Sequence, residues 1–342
     1  MGEAARVAEA GRTGTEVEVV EVRGWEVVRL RTAEIEVDVL PGKGADILAV
    51  RWRATGLDLL WKTRWGLRHP DALPLGGNDE SRLMQAYPGG WQTVFPNGGD
   101  AVEEHGVTWG THGEVWATPF EWEMSRAGAL VLTARLVHSP FEIVKSIALD
   151  GPRVRVRESV TNLGRQPVEV MWSHHPAFGA PFLAPTLQVT TNARTVLVDD
   201  LRDNASSELV AGASVAWPHV PARRGGTADL GRVPAADAGV DRMAYLTDFP
   251  PQAQVRLTSP DVGVSATLDW QAADFPFAWY WLEAGGTGGF PWFHSAYVLA
   301  VEPATSYPAQ GLHAAQAKTG TQVRIAPHET RRASLSLTLG PA

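Results

Sequence analysis

The chain has 342 residues, 44% hydrophobic and 20% charged, the balance of an ordinary folded protein long enough for one large domain or two average ones. A net charge of -8 with no basic block makes nucleic acid and anionic membranes poor partners, and a neutral small molecule fits better. The lack of cysteine excludes disulfides, zinc-thiolate sites and a thiol nucleophile together.

Residues 1–14 are rich in Ala, Glu and Gly, show no signal-peptide core, and are expected to be frayed, with 15–342 forming one domain. No window approaches the roughly 18 apolar residues of a membrane span, so a soluble, cytoplasmic protein is expected. Alternation begins at Thr15 in EVEVVEV, continues over Trp25–Leu30, and returns in the run that ends at Leu40, which gives three strands in quick succession. Pro41–Asp46 is a turn cluster, and Ile47–Trp52 resumes the strand pattern.

From Trp61 to Gly113 the chain is rich in Gly, Pro and Trp with little periodicity, an irregular stretch long enough to suggest function. Trp65, Tyr87, Trp91, Phe95 and Trp109 there, and Trp116 just after it, offer flat apolar faces of the kind sugars stack on, although any single Trp is better explained by sealing one end of a sandwich. Strand patterns follow at Glu121–Met124, Ala129–Val137, Phe141–Leu149, Val154–Thr161 and Val168–Trp172, joined by turns at Asp150-Gly151-Pro152 and Asn162-Leu163-Gly164. Next comes SHHPAFG, Ser173–Gly179, read as a strand end running into a turn that starts at Pro176. The polar region Asp199–Asp241 reads as a set of excursions. Strands resume at Gln254–Thr258, Gly263–Trp270, Phe277–Glu283, Ser295–Glu302, Gln322–Ile325 and Ser334–Leu339. With no helix of more than two turns, no repeat, and about fourteen to sixteen strands, the expected fold is a large all-β antiparallel sandwich.

Three polar spots stand at strand ends beside Gly or Pro: Thr111-His112-Gly113, His174-His175, and Glu302-Pro303. Each alone is as well read as a strand-end charge or a turn residue; the set of three points to one site. Histidine exchanges a proton near neutral pH, and a carboxylate is already ionised there, so the set supplies an acid and a base.

On these residues the chain resembles the aldose 1-epimerase, or galactose mutarotase-like, superfamily. Its HG, HPYF and C-terminal Glu motifs are matched in order by His112-Gly113, by His175-Pro176-Ala177-Phe178-Gly179, and by Val301-Glu302-Pro303. The resemblance implies a β-supersandwich with a sugar cleft, His175 as general acid, Glu302 as general base, and His112 steadying the sugar. It places Asp241, in VDRMAYL, on a sugar hydroxyl. Asn97 and His174, with Trp91, Trp109, Trp279 and Trp281 as aromatic walls, complete the expected substrate contacts. Two departures touch the holding residues: the family's Asn-Arg pair is replaced by Asn97-Gly98, and the Tyr of HPYF by Ala177.

Such a pair can interconvert anomers. One group removes the C1 hydroxyl proton while the other protonates the ring oxygen; the ring opens, rotates about C1–C2 and recloses. No metal, nucleotide or redox cofactor is required, and the lack of an Arg/Lys cluster favours an uncharged aldose. Three alternatives are weighed against this one. A metal enzyme would draw on His105, His112, His174, His175 and Glu302. A noncatalytic carbohydrate-binding protein would use the same cleft, and an isomerase or lyase would act on a modified sugar. In an extended strand adjacent side chains face opposite ways, so only one of His174 and His175 can look into the cleft; the resemblance selects His175.

Overall fold

Alternating β-branched and aromatic residues build two large antiparallel sheets in the computed structural model, which describes residues 7–8, 14–72, 76–201 and 205–342. One sheet has 13 strands and the other 8, and three two-stranded ribbons lie outside them. The centre of the larger sheet runs, as hydrogen-bonded neighbours, through β1 (Trp91–Val94), β2 (Ser173–Gly179), β5 (Tyr297–Ala304), β4 (Phe277–Ala284) and β3 (Val240–Thr247). The smaller sheet is centred on Phe141–Asp150, Arg153–Asn162 and Thr330–Pro341.

The two sheets face each other across one apolar core that draws residues from Val17 to Leu339, with Phe95, Phe141, Ile147, Val156 and Leu337 fully or almost fully buried. The smaller sheet keeps one wet face, so Phe141–Asp150 alternates strictly between buried and half-buried positions. The strands β1, β2 and β5 at the middle of the larger sheet are covered on both faces. All seven residues of β2 are buried, as are all four of β1. Their outer face is covered by the segments that wrap the pocket.

Several expectations change. Ser173–Gly179 is a strand and not a turn. Its ladder to β1 is continuous from Ser173↔Val94 to Pro176↔Trp91, whereas its ladder to β5 lapses after Ser173↔Ala304 and resumes at Ala177↔Ala300. Pro176, which has no N–H to give, falls inside that lapse, which is how a proline is tolerated in mid-sheet. The described residues form 27 strands, more than expected, because Asp199–Asp241 and the Trp61–Gly113 stretch contain short ones such as Val102–Glu104 and Thr227–Asp229. That stretch also holds α1 (Asp79–Ala86), capped by Asn78, whose Oδ1 accepts from Ser81 N at 3.0 Å. At 8 residues α1 slightly exceeds two turns, while α2 (Leu312–Lys318) has 7. The stretch expected to be frayed lies, apart from residues 7–8 and Gly14, outside the described residues. No described helix is long and apolar enough to cross a membrane.

Candidate active site

Register places the chemistry. Gln92 of β1 is the cross-strand neighbour of His175, and Trp279 of β4 is the neighbour of Glu302. The pairs Ser173↔Ala304 and Ala177↔Ala300 put His175 opposite Glu302, within the lapse left by Pro176. Gln92, His175, Glu302 and Trp279 therefore form one row across the outer face of the sheet, and His175 Nε2 lies 3.5 Å from Glu302 Oε1. The row floors a pocket of about 240 Å³. His112, Asp241, Trp281 and Tyr87 stand in its walls, and Glu80 and Phe290 reach it from α1 and from the loop after β4.

The wall residues are held from behind. His112 has φ +60° and its N–H donates to Gly99 O at 2.9 Å. Gly113 follows at φ +76°, where a Cβ would come within 2.2 Å of Phe95 O, so the second residue of that pair has to be glycine. This turn brings the His112 ring to 5.6 Å from that of His175. Tyr87 ends α1, and its hydroxyl stands 3.4 Å from His175 Nδ1. Burial, reinforced by the negative charges of Glu302 and Asp46, pushes the Tyr87 phenol well above its ordinary pKa, which keeps it a proton-bearing donor. Such a donor favours the His175 tautomer with its proton on Nε2, facing Glu302. Burial also holds His175 down to about 4, so its imidazole is neutral at pH 7.

The adjacent histidine faces the other way. His174 is wholly buried between the sheets, where Trp91 Nε1 donates to its Nδ1 at 3.3 Å and its Nε2 lies 3.3 Å from Glu158 Oε2. Glu158 also receives Lys145 Nζ at 3.0 Å, Thr93 Oγ1 at 2.6 Å and Trp172 Nε1 at 3.1 Å. Burial would raise the Glu158 carboxyl, but the charges of His174 and Lys145 and these hydrogen bonds outweigh it and hold it far below the usual carboxylate range.

The structure thus brings His112, His175, Glu302, Asp241, Trp279 and Trp281 to one pocket. It puts His174 and Trp91 on the inner face of the sheet, and Trp109 in the core with its Nε1 on His138 O at 3.1 Å. Asn97 is fully buried as a backbone brace: its amide donates to Asp100 O and Gly110 O, and its Oδ1 accepts from Leu312 N at 2.8 Å. These four side chains are committed elsewhere and leave the pocket to others. His105 does not line the pocket and stands 3.6 Å from Glu104, and no group of three or more His, Asp or Glu side chains among the described residues is placed to hold a metal ion. A larger, more open depression of about 770 Å³ beside Leu57, Pro181 and Val262 has no His or Glu in its walls, and its charges, Lys62 and Asp58, close on each other at 2.7 Å.

The profile of a family described as a domain of unknown function, DUF4432, matches residues 22–339. The chain belongs to that family. The DUF4432 chain shares its fold with a galactose mutarotase-like protein from Clostridium acetobutylicum, at a TM-score of 0.67 and 13% identity over 95% of this chain and 98% of that one. A candidate aldose 1-epimerase from Klebsiella pneumoniae gives 0.73 at 14% identity, over 95% and 83% of the two chains. A galactose mutarotase-like protein from Lactobacillus casei gives 0.61 at 15% identity, over 92% and 100%. These likenesses establish the galactose mutarotase-like β-supersandwich. No curated protein matches the sequence.

Gln92 and Trp292 are among the pocket residues of the DUF4432 chain that escape a reading of its sequence, as do Glu80 and Phe290. Gln92 Nε2 donates to Asp46 Oδ2 at 2.9 Å, and Lys43 Nζ reaches the same oxygen at 2.6 Å, so the amide is fixed with its carbonyl oxygen left for the pocket. The one signal is the polar pair Gln92-Thr93 between Trp91 and Val94, and it does not say which of the two faces the pocket. Trp292 comes from the loop between β4 and β5 and packs with Trp61 and Tyr87 around Ala177, filling the space over that small residue.

Proposed function

We propose that this protein is an aldose 1-epimerase-like isomerase that opens and recloses the ring of a free, uncharged aldose. The observation that carries the reading is the His175–Glu302 pair, 3.5 Å apart on the floor of a pocket that Trp279 and Trp281 also line. No Lys or Arg lines that pocket among the described residues, which supports a neutral ligand over a phosphorylated one.

In this reading Glu302 removes the C1 hydroxyl proton. The electrons left on that oxygen form the aldehyde C=O as the bond from C1 to the ring oxygen breaks. The proton is then returned to the ring oxygen, which sits on the same carbon and within reach of the same carboxyl. His175 donates its Nε2–H as a hydrogen bond to the ring oxygen as charge develops there. An imidazolium donor would be the simpler scheme. With His175 held down to about 4, however, only about one pocket in a thousand would carry it at pH 7. Tyr87 orients the imidazole, Gln92, His112 and Asp241 hold hydroxyls, and the tryptophans cover the apolar face of the ring.

Polarimetry and anomeric-proton NMR across a panel of aldoses and sugar phosphates test this directly. Acceleration over buffer is expected for at least one neutral aldose. Buffer-rate conversion of every sugar would overturn the catalytic reading. The departures at Gly98 and Ala177 favour the second reading, a noncatalytic carbohydrate-binding protein; sugar binding without acceleration would select it.

A further inference from the structure

The loop between β4 and β5 exposes two large aromatic side chains and is nevertheless firmly built. Phe290 is 48% and Phe293 55% exposed. At the loop's start the Glu283 carboxylate accepts from Gly286 N at 2.5 Å, Thr287 N at 2.9 Å and Thr287 Oγ1 at 2.7 Å. At its end Phe293 N bonds Gly289 O and His294 N bonds Thr287 O, both at 2.8 Å. Between them Trp292 is buried, stacked parallel on Trp65 at 5.8 Å and against Trp281 of the pocket wall at 6.0 Å. The Arg64 guanidinium sits over both Trp65 and Phe293, at 5.2 and 5.7 Å. A loop held at both ends and by its central ring presents its phenylalanines to water as part of its built shape.

Phe290 belongs to the pocket wall, so its exposed ring stands at the mouth, while His175 and Glu302, 5% and 2% exposed, lie at the floor. The exposed Glu80 of α1 shares that mouth. At about 240 Å³ the pocket falls below the roughly 300 Å³ at which sites for drug-sized ligands begin, and it suits one sugar ring. A ligand with a second ring would have to leave the floor past Phe290. There it would meet an aromatic face for its C–H face and a carboxylate for its hydroxyls, the pairing that suits a sugar.

We propose that Phe290 and Glu80 form an outer subsite for the second ring of a reducing oligosaccharide, whose reducing-end ring occupies the pocket. This rests on the proposed function, and the chemistry constrains the attachment. Ring opening needs a free C1 hydroxyl at Glu302, so the outer ring must hang from another carbon of the inner one and point to the mouth.

The test is saturation-transfer NMR and titration with glucose, galactose, maltose, cellobiose and lactose. The full chain is used, with Glu302→Gln as a background that binds with turnover slowed roughly a hundredfold or more, with and without Phe290→Ala. Phe290 is half-exposed, so that change leaves the melting temperature near wild type. The expected result is saturation of the non-reducing ring of at least one disaccharide and binding about tenfold tighter than its monosaccharide. Phe290→Ala should abolish most of that advantage and weaken the disaccharide more than the monosaccharide. If disaccharides bind no better than monosaccharides, or Phe290→Ala weakens both equally, the outer subsite is wrong while the pocket reading stands. Binding of no sugar by either protein would overturn both.

Discussion

Changing Glu302 to Gln keeps the shape of the side chain and removes its basicity, which separates proton transfer from sugar binding. On a true substrate we expect kcat to fall roughly a hundredfold or more with a modest change in KM, and His175→Asn to do the same. The double variant should cost little more than either single one, because the two groups act on one event. His174→Asn should chiefly lower stability, since its ring faces the core; a dead but stable His174 variant beside a near-normal His175 variant would overturn the assignment. His175 also leaves a mark on stability. The unfolded imidazole titrates near 6.5 and the folded one at about 4, so its contribution is complete above pH 6.5 and is lost as pH falls towards 4, by about 3 kcal/mol. Urea melts of His175→Asn at pH 7 and pH 4 should show that much less acid destabilisation than wild type. At this scale the sequence reveals His175, Glu302 and His112 through motifs. It cannot show that Asn97 spends its amide on three backbone groups, or that Gln92 has its own fixed by Asp46.

The buried Glu158–Lys145–His174 group ties the two sheets together, and removing one charge leaves the other stranded. Glu158→Gln should destabilise by about 3–5 kcal/mol in urea titrations, and adding Lys145→Met should restore much of the loss. A double variant no more stable than the single one would show that the ion pair is not the source. Because Glu158 is held far below the usual carboxylate range, its contribution is present above the unfolded pKa near 4.3 and is lost as pH falls below it. Gly113→Ala should be costly in a different way, since the new Cβ meets the Phe95 carbonyl and the His112 turn must move; a loss in both stability and kcat/KM is expected. Legibility divides by burial here. Strands such as Phe141–Asp150, wet on one face, announce themselves by alternation. Buried β1 and β2 carry no such rhythm, and Pro176 makes β2 read as a turn. Helix α1 has its cap in Asn78 but only two buried positions, too few for a periodic signal.

Because one core cluster joins both sheets, tryptophan fluorescence and far-UV circular dichroism should report the same urea midpoint. Separate transitions would show that the sheets unfold independently. The all-β class and sandwich could be read from strand patterns. The division into 13 and 8 strands could not, because partner choice depends on contacts far apart in sequence, such as Arg153↔Thr338. The back-to-back histidines carry a consequence for how such a chain can evolve. With a period of two, inserting or deleting one residue between Trp172 and Pro176 would send His175 into the core and His174, or a newcomer, into the pocket, breaking the ion cluster and the site in one event. Length changes there should be purged, while the excursion between Asp199 and Asp241 should absorb them. A scan of single-residue insertions, scored for folded protein, should show a sharp gap at 172–176 and a permissive stretch at the exposed turn around Arg224 and Gly225.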